Sequence, residues 1–262
     1  MRYIMNKLFI AFVISTAFAV PASAHRSTKQ RYISVPIPTE SFLVADSDGN
    51  VLKEQNSSVI RPIASISKLL VALLSSEQDL NEKLSIPKKR TVHTTIPWKI
   101  DFLSRKELLT LALVKSDNFA AQILCDNLPN CIDNMNAKAA EIGMTNTHYE
   151  EPTGLSKENV STANDLLKLM MAASTHPILG ELSSMPKAVV VAGNKTIKVN
   201  NTNPLTSKLN ILLSKTGFTN PAGGCLVMMI NTAVGKRILI LLGSKNARTR
   251  IPDMERLVKD FG

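Results

Sequence analysis

The period of the hydrophobic pattern changes at Pro186, and no other feature limits the fold as tightly. Downstream, Ala188-Val189-Val190-Val191 and Lys195-Thr196-Ile197-Lys198-Val199 flank Gly193-Asn194, a hairpin signal. Leu212 to Phe218, Cys225 to Ala233 and Arg237 to Gly243 read as three more strands, followed by an amphipathic helix over about Ile251 to Phe261. Upstream the pattern is helical. Ser104-Arg105-Lys106-Glu107 is a capping box ahead of an apolar run through Leu113, and a second helix continues from Phe119 to Leu124. A third spans Ile132 to Ile142, and Thr162 with Asp165 caps a fourth through Met171. Before these come a hairpin, Ser41 to Ala45 and Val51 to Lys53, and the apolar helical run Leu69 to Leu74. An α+β fold is expected: an antiparallel sheet flanked by terminal helices, with an all-helical subdomain over about residues 88–180 inserted into a domain spanning 41–262.

The first 24 residues have the three parts of a secretory signal: Arg2 and Lys7, an apolar run from Leu8 to Val20, and Ala22-Ser23-Ala24 before the expected cut. That run is shorter than the ~20 residues a membrane span needs. Residues 25–40 read as a flexible lead-in, and the predicted location is the periplasm. Cleavage lowers the net charge from +10 to +8, which suits an anionic partner such as cell-wall polymer, nucleic acid or a membrane surface, and charge alone does not choose among them. With 5% aromatic residues and no basic block interleaved with them, nucleic acid is not expected. In an oxidising compartment Cys125 and Cys131 are close enough to pair across the intervening turn; equally, they read as small buried hydrophobes. Cys225 stays single on a strand. No metal site is expected: the histidines lack ligand spacing with the cysteines, and Asp46 to Asn50 resembles a calcium loop only until Val51 and Ser57 fill the positions of its glycine and glutamate. The charged stretch from Glu77 to Arg90 reads as solvated surface.

Three short motifs stand in order: Ser65-Ile66-Ser67-Lys68, Ser116-Asp117-Asn118 and Lys215-Thr216-Gly217. Alone, each has an ordinary reading as a capped helix start, a turn between helices and a polar piece of strand. Together, the first opens a helix, the second joins two helices and the third lies on a strand. On a helix, residues three apart share a face, so a neutral Lys68 can take the Ser65 proton. Burial and a second cation, Lys215, would depress the Lys68 pKa. Ser116 would bridge the two lysines and relay a proton, and Asn118 would orient a substrate amide and Lys68. Lys215 and Thr216 would bind a carboxylate. Gly217 would leave room for a peptide along the strand, and the Ser65 and Phe218 amides would donate to an oxyanion.

The trio resembles the serine D-Ala-D-Ala carboxypeptidases of peptidase family S11, the low-molecular-mass penicillin-binding proteins. The resemblance runs from about Phe42 to the C-terminus. It includes Arg61-Pro62-Ile63-Ala64-Ser65, Pro152-Thr153-Gly154-Leu155, Asn201-Thr202-Asn203-Pro204-Leu205 and Gly217 to Leu226, and it is nearest the penicillin-binding protein 7 type of D-alanyl-D-alanine endopeptidase. It implies an acyl-enzyme on Ser65, peptidoglycan peptides as substrates, covalent capture by β-lactams, no cofactor and a DD-peptidase/β-lactamase-like fold. Many relatives continue into a β domain and an amphipathic anchor. Ending at Gly262 fits the shorter endopeptidase type, with no integral membrane anchor once the signal is cut. Glu150-Glu151 invites a β-lactamase reading with a deacylating glutamate, but the Pro152-Thr153-Gly154-Leu155 that follows departs from that pattern, and both glutamates are expected to be surface charge. Of the two serines in the first motif, Ser65 is expected to attack, whereas Ser67 is expected to be replaceable by threonine with little loss of acylation.

Overall fold

The computed structural model describes residues 39–262; the expected signal segment and all but the end of the lead-in lie outside them. The last two lead-in residues are part of the fold, with the buried Thr39 hydroxyl donating to the Leu242 carbonyl at 2.7 Å. Strands β1 (Ser41–Asp46) and β2 (Val51–Gln55) form the expected hairpin, its turn closed by the Asp46 carboxylate accepting from the Asp48 and Asn50 amides at 2.9 Å each. A two-residue strand, β3 (Arg61–Pro62), leads through a 3-10 turn, Ala64–Ser67, into helix α1 (Lys68–Ser76). Next come β4 (Lys83–Ser85), β5 (Phe102–Ser104), α2 (Arg105–Val114), α3 (Asn118–Asp126), α4 (Cys131–Glu141), β6 (Val160–Ser161), α5 (Ala163–Ser174) and α6 (Pro177–Ser184). The chain closes with β7 (Lys187–Ala192), β8 (Lys195–Asn200), a second 3-10 turn, β9 (Ile211–Thr219), β10 (Gly223–Thr232), β11 (Gly235–Ser244) and α7 (Arg250–Phe261).

The main sheet is five-stranded and antiparallel in the order β2-β1-β11-β10-β9. Strand period two sends alternate side chains to opposite faces. Phe42, Val44, Leu226, Met228, Leu239 and Leu241 pack against Met254 and Leu257 of α7. Leu43, Ala45, Val227, Met229, Ile238 and Ile240 join a larger core with helices α1 to α5. Both faces of β10 and β11 are covered, which is why these strands are almost continuously apolar. The α1 helix is buried on all sides through Lys68 to Leu73, so its N-terminal end is held deep inside the molecule.

The starts of α2 and α5 follow the predicted capping chemistry, and α3 has a cap of the same kind. Ser104 and Glu107 form a reciprocal capping box on α2, the Asp117 carboxylate caps α3 by accepting from the Ala120 amide at 3.0 Å, and the Thr162 hydroxyl accepts from the Asp165 amide on α5. Three readings are corrected. The β7–β8 hairpin is a separate two-stranded ladder packed on α2, not part of the main sheet. The stretch from Glu77 to Arg90 is not wholly solvated, since Leu84 of β4 and Ile86 are buried. Helix α6 was unread because Pro177 and Gly180 look like loop residues; Pro177 begins the helix, and a Cβ on Gly180 would fall 2.7 Å from the Leu212 carbonyl oxygen of β9. Cys125 and Cys131 form a disulfide between the end of α3 and the start of α4, with Cα atoms 5.4 Å apart, and Cys225 is single and buried on β10.

Candidate active site

The 3-10 turn that carries Ser65 is wedged between two backbones. It begins at Ala64 with φ of +48°, a left-handed conformation uncommon for a residue with a Cβ. A Cβ on Gly217 of β9 would lie 2.9 Å from the Ile63 carbonyl oxygen and 3.1 Å from the Ser65 nitrogen. A Cβ on Gly154 would lie 1.9 Å from the Ala64 carbonyl oxygen. The turn therefore sits against strand β9 on one side and the loop around Gly154 on the other. This gives Gly217 a reason beyond the one expected: it lets the strand approach the serine turn itself.

One helical turn on, Lys68 is completely buried, and its Nζ lies 2.6 Å from Ser65 Oγ while also donating to the Thr153 carbonyl. Burial lowers its pKa from 10.5 to about 7, against the opposing negative charges of Glu151 and Asp117. Lys215 is equally buried and is also pushed well down, first by burial and then by the Lys68 and Arg250 cations. Desolvation, rather than the second lysine, is thus the leading reason that Lys68 can be neutral near pH 7. The mutual repulsion is expressed on Lys215.

Ser116 occupies the turn between α2 and α3 with φ of +58°, and its Oγ accepts from Lys215 Nζ at 2.8 Å. It thereby meets one of the two lysines it was expected to bridge. The hydrogen bonds of the Lys68 amine among the described residues go to Ser65 and Thr153, not to Ser116 or Asn118. Asn118 is half-buried at the first residue of α3, beside Asp117, whose carboxylate accepts from Thr94 and Thr95 and ties that segment to the turn. On β9, the Thr216 hydroxyl lies 2.6 Å from that of Thr202, and the Phe218 side chain is exposed.

Several neighbours were not singled out for a role from sequence. Thr153 contributes only its backbone carbonyl, which accepts from Lys68 and, at 3.3 Å, from Ser65 Oγ. Arg250, at the start of α7, donates from Nη1 to the Gly217 carbonyl at 2.8 Å. Asn159 is fully buried; its amide donates to Ser67 Oγ at 2.9 Å and to the Glu151 carbonyl at 2.7 Å, while its oxygen accepts from the Glu150 and Glu151 amides. Ser67 is fully buried and also donates to the Ala64 carbonyl. Glu150 is exposed as expected, but Glu151 is not surface charge: its carboxylate accepts from Thr153, Gly154 and Ser156. A carboxylate with its lone pairs committed to these donors is poorly placed to activate a water, as a deacylating glutamate would have to.

A serine hydroxyl against a buried lysine of depressed pKa, with a second lysine on the adjoining strand, is equipped for acyl transfer through the serine. The comparisons agree with that class. Residues 27–246 match the family model described as D-alanyl-D-alanine carboxypeptidase, peptidase family S11. The chain is 36% identical over 274 residues to the D-alanyl-D-alanine endopeptidase of Escherichia coli (strain K12), covering 98% of this chain and 87% of that protein. It is 38% identical over 268 residues to the Pseudomonas aeruginosa enzyme of the same name, covering 95% of this chain and 84% of its relative. Among solved structures, penicillin-binding protein D2 from Listeria monocytogenes in its ampicillin-bound form superposes with a TM-score of 0.78 at 30% identity, over 86% of this chain and 97% of that one. The chain belongs to the S11 family of D-alanyl-D-alanine carboxypeptidases, which are serine hydrolases.

Proposed function

We propose that this protein is a serine DD-peptidase acting on peptidoglycan peptides, with endopeptidase cleavage of cross-links as its main reaction. The observation that carries the reading is the 2.6 Å contact between Ser65 Oγ and the buried Lys68 amine, whose pKa is lowered to about 7. Neutral Lys68 accepts the Ser65 proton as Oγ attacks the carbonyl carbon of the D-alanine on the acyl side of the scissile bond. The oxyanion is stabilised by the Ser65 and Phe218 amides and by the position of the turn at the entrance to α1. As the C–N bond breaks, the proton passes to the leaving amine through Ser116, leaving an ester on Ser65. Water then adds to that ester, and its hydrolysis frees the shortened peptide and restores the Ser65 hydroxyl.

Asn118 holds the substrate amide, Lys215 and Thr216 receive a carboxylate on the leaving side, and Gly217 lets the peptide lie along β9. An arriving carboxylate would favour the charged form of Lys215, so binding and protonation of that lysine are coupled. A β-lactam would acylate Ser65 by the same attack. No cofactor enters any step. The protein would work in the periplasm after cleavage following Ala24; among the described residues, no helix is long and apolar enough to cross a membrane. Residues 41–262 would constitute the catalytic domain, with the helical part at about 88–180 forming one wall of the cleft.

The discriminating experiment incubates the protein with a pentapeptide monomer and, separately, with a cross-linked dimer, and weighs the products. Conversion of dimer to monomers faster than loss of the terminal D-alanine supports the endopeptidase reading. The reverse preference makes the protein a carboxypeptidase, and turnover by Ser65→Ala removes the serine mechanism.

A further inference from the structure

The two adjacent acidic residues Glu150 and Glu151 have opposite surroundings. Glu150 is exposed, with His148 Nε2 3.6 Å from its carboxylate. Glu151 turns back into its own loop. One carboxylate oxygen accepts from the Thr153 amide at 2.7 Å and from the Thr153 hydroxyl; the other accepts from the Gly154 amide at 2.6 Å and the Ser156 amide at 3.3 Å. Four donors converging on two oxygens need an acceptor-only group, which an amide is not. The loop so gathered has two contacts with the serine turn. Its Thr153 carbonyl accepts from Lys68 Nζ and Ser65 Oγ, and its Gly154, at φ of +81°, lies against the Ala64–Ser65 peptide. Asn159 ties the Glu151 backbone to Ser67 from behind.

We infer that Glu151 is a positioning residue for acylation: its carboxylate folds residues 153–156 so that the Thr153 carbonyl aims the Lys68 amine at Ser65 Oγ. The inference rests on the reading of Ser65 as nucleophile and Lys68 as base. Glu151 also places a negative charge where it opposes the fall in the Lys68 pKa. Replacing it by glutamine therefore does two separable things. It presents an amide N–H to backbone N–H donors, loosening the loop, and it removes a charge that favours the Lys68 ammonium.

The test is the rate of acylation by a fluorescent penicillin from pH 5 to 9, for the wild type, Glu151→Gln, Thr153→Val and Glu150→Gln, with folding checked by near-ultraviolet circular dichroism. Expected for Glu151→Gln is at least a tenfold slower plateau and a rate midpoint moved to lower pH. Thr153→Val keeps the charge and loses one donor, so it slows acylation and leaves the midpoint in place. Glu150→Gln matches the wild type. A folded Glu151→Gln protein with the wild-type rate overturns the inference. So does one that is slower with an unmoved or raised midpoint, because that assigns Glu151 to the fold alone. If Glu151→Gln does not fold, Thr153→Val decides: acylation at the wild-type rate overturns the inference. Absence of labelling in the wild type, or labelling of Ser65→Ala, instead removes the reading of Ser65 on which the inference depends.

Discussion

Replacing Lys68 by methionine should make the protein inert and, at neutral pH, more stable. In the folded chain the amine loses its proton near pH 7, whereas in the unfolded chain it holds it to about pH 10.5. Below pH 7 both states are charged, and the folded state carries the full cost of the buried ammonium. Between the two values the unfolded state binds more protons, so stability rises with pH. At pH 7 the cost is about 4 kcal/mol and at pH 9 about 2 kcal/mol. Methionine is unbranched and of similar length, and it removes that cost together with the repulsion felt by Lys215. It also leaves the Thr153 carbonyl with only its longer contact to Ser65, a loss of about 1–3 kcal/mol. The expected net gain at pH 7 is thus about 1–3 kcal/mol, shrinking by about 2 kcal/mol at pH 9. Urea unfolding of both proteins at the two pH values, with the disulfide intact, measures this double difference. A variant less stable than the wild type by the same amount at both pH values would refute the reasoning, because it would mean that Lys68 is not a desolvated base.

Acylation of the wild type should rise about tenfold per pH unit from pH 5 and level off above about 7, as the neutral amine becomes the dominant form of Lys68; stopped-flow labelling with a fluorescent penicillin gives the profile, and a flat profile contradicts it. Gly217→Ala should slow acylation at least tenfold with the sheet intact, since its Cβ meets the Ile63 carbonyl and the Ser65 nitrogen at 2.9 and 3.1 Å; wild-type labelling would show that the turn can shift at no cost. Ser67→Thr keeps the hydroxyl but adds a methyl at a fully buried site, so a destabilisation of about 1–3 kcal/mol by thermal or urea unfolding is expected, and an unchanged midpoint would show that the site accommodates the methyl.

What the sequence revealed divides by the kind of atom involved. Ser65, Lys68, Ser116 and Lys215 act through side-chain heteroatoms at fixed spacing, so their motifs could be found, and the period change at Pro186 located the sheet around them. Helix starts at Ser104 and Thr162 were equally legible because capping is local chemistry. The Thr153 carbonyl was not, because a backbone oxygen has no residue-type signature and its use depends on a contact 85 residues away in the chain. Arg250 and Thr202 face the site from distant elements, which periodicity cannot report. Glu151 was no more legible: side-chain bonds to the backbone two residues on are the habit of Asp and Asn rather than of the longer glutamate, so its turn has no standard signature. A pair of adjacent glutamates reads by default as a solvated charge run, which holds for Glu150 alone. The detached β7–β8 hairpin shows the same limit, since local patterning makes a ladder but does not say which sheet it joins.

The central claim, that Ser65 becomes acylated, is tested most directly by intact-protein mass spectrometry after exposure to benzylpenicillin, followed by mapping of the modified peptide. The account predicts one added penicilloyl group per chain, located on Ser65 and absent from Ser65→Ala. Modification at another residue, or equal labelling of the Ser65→Ala protein, would contradict it.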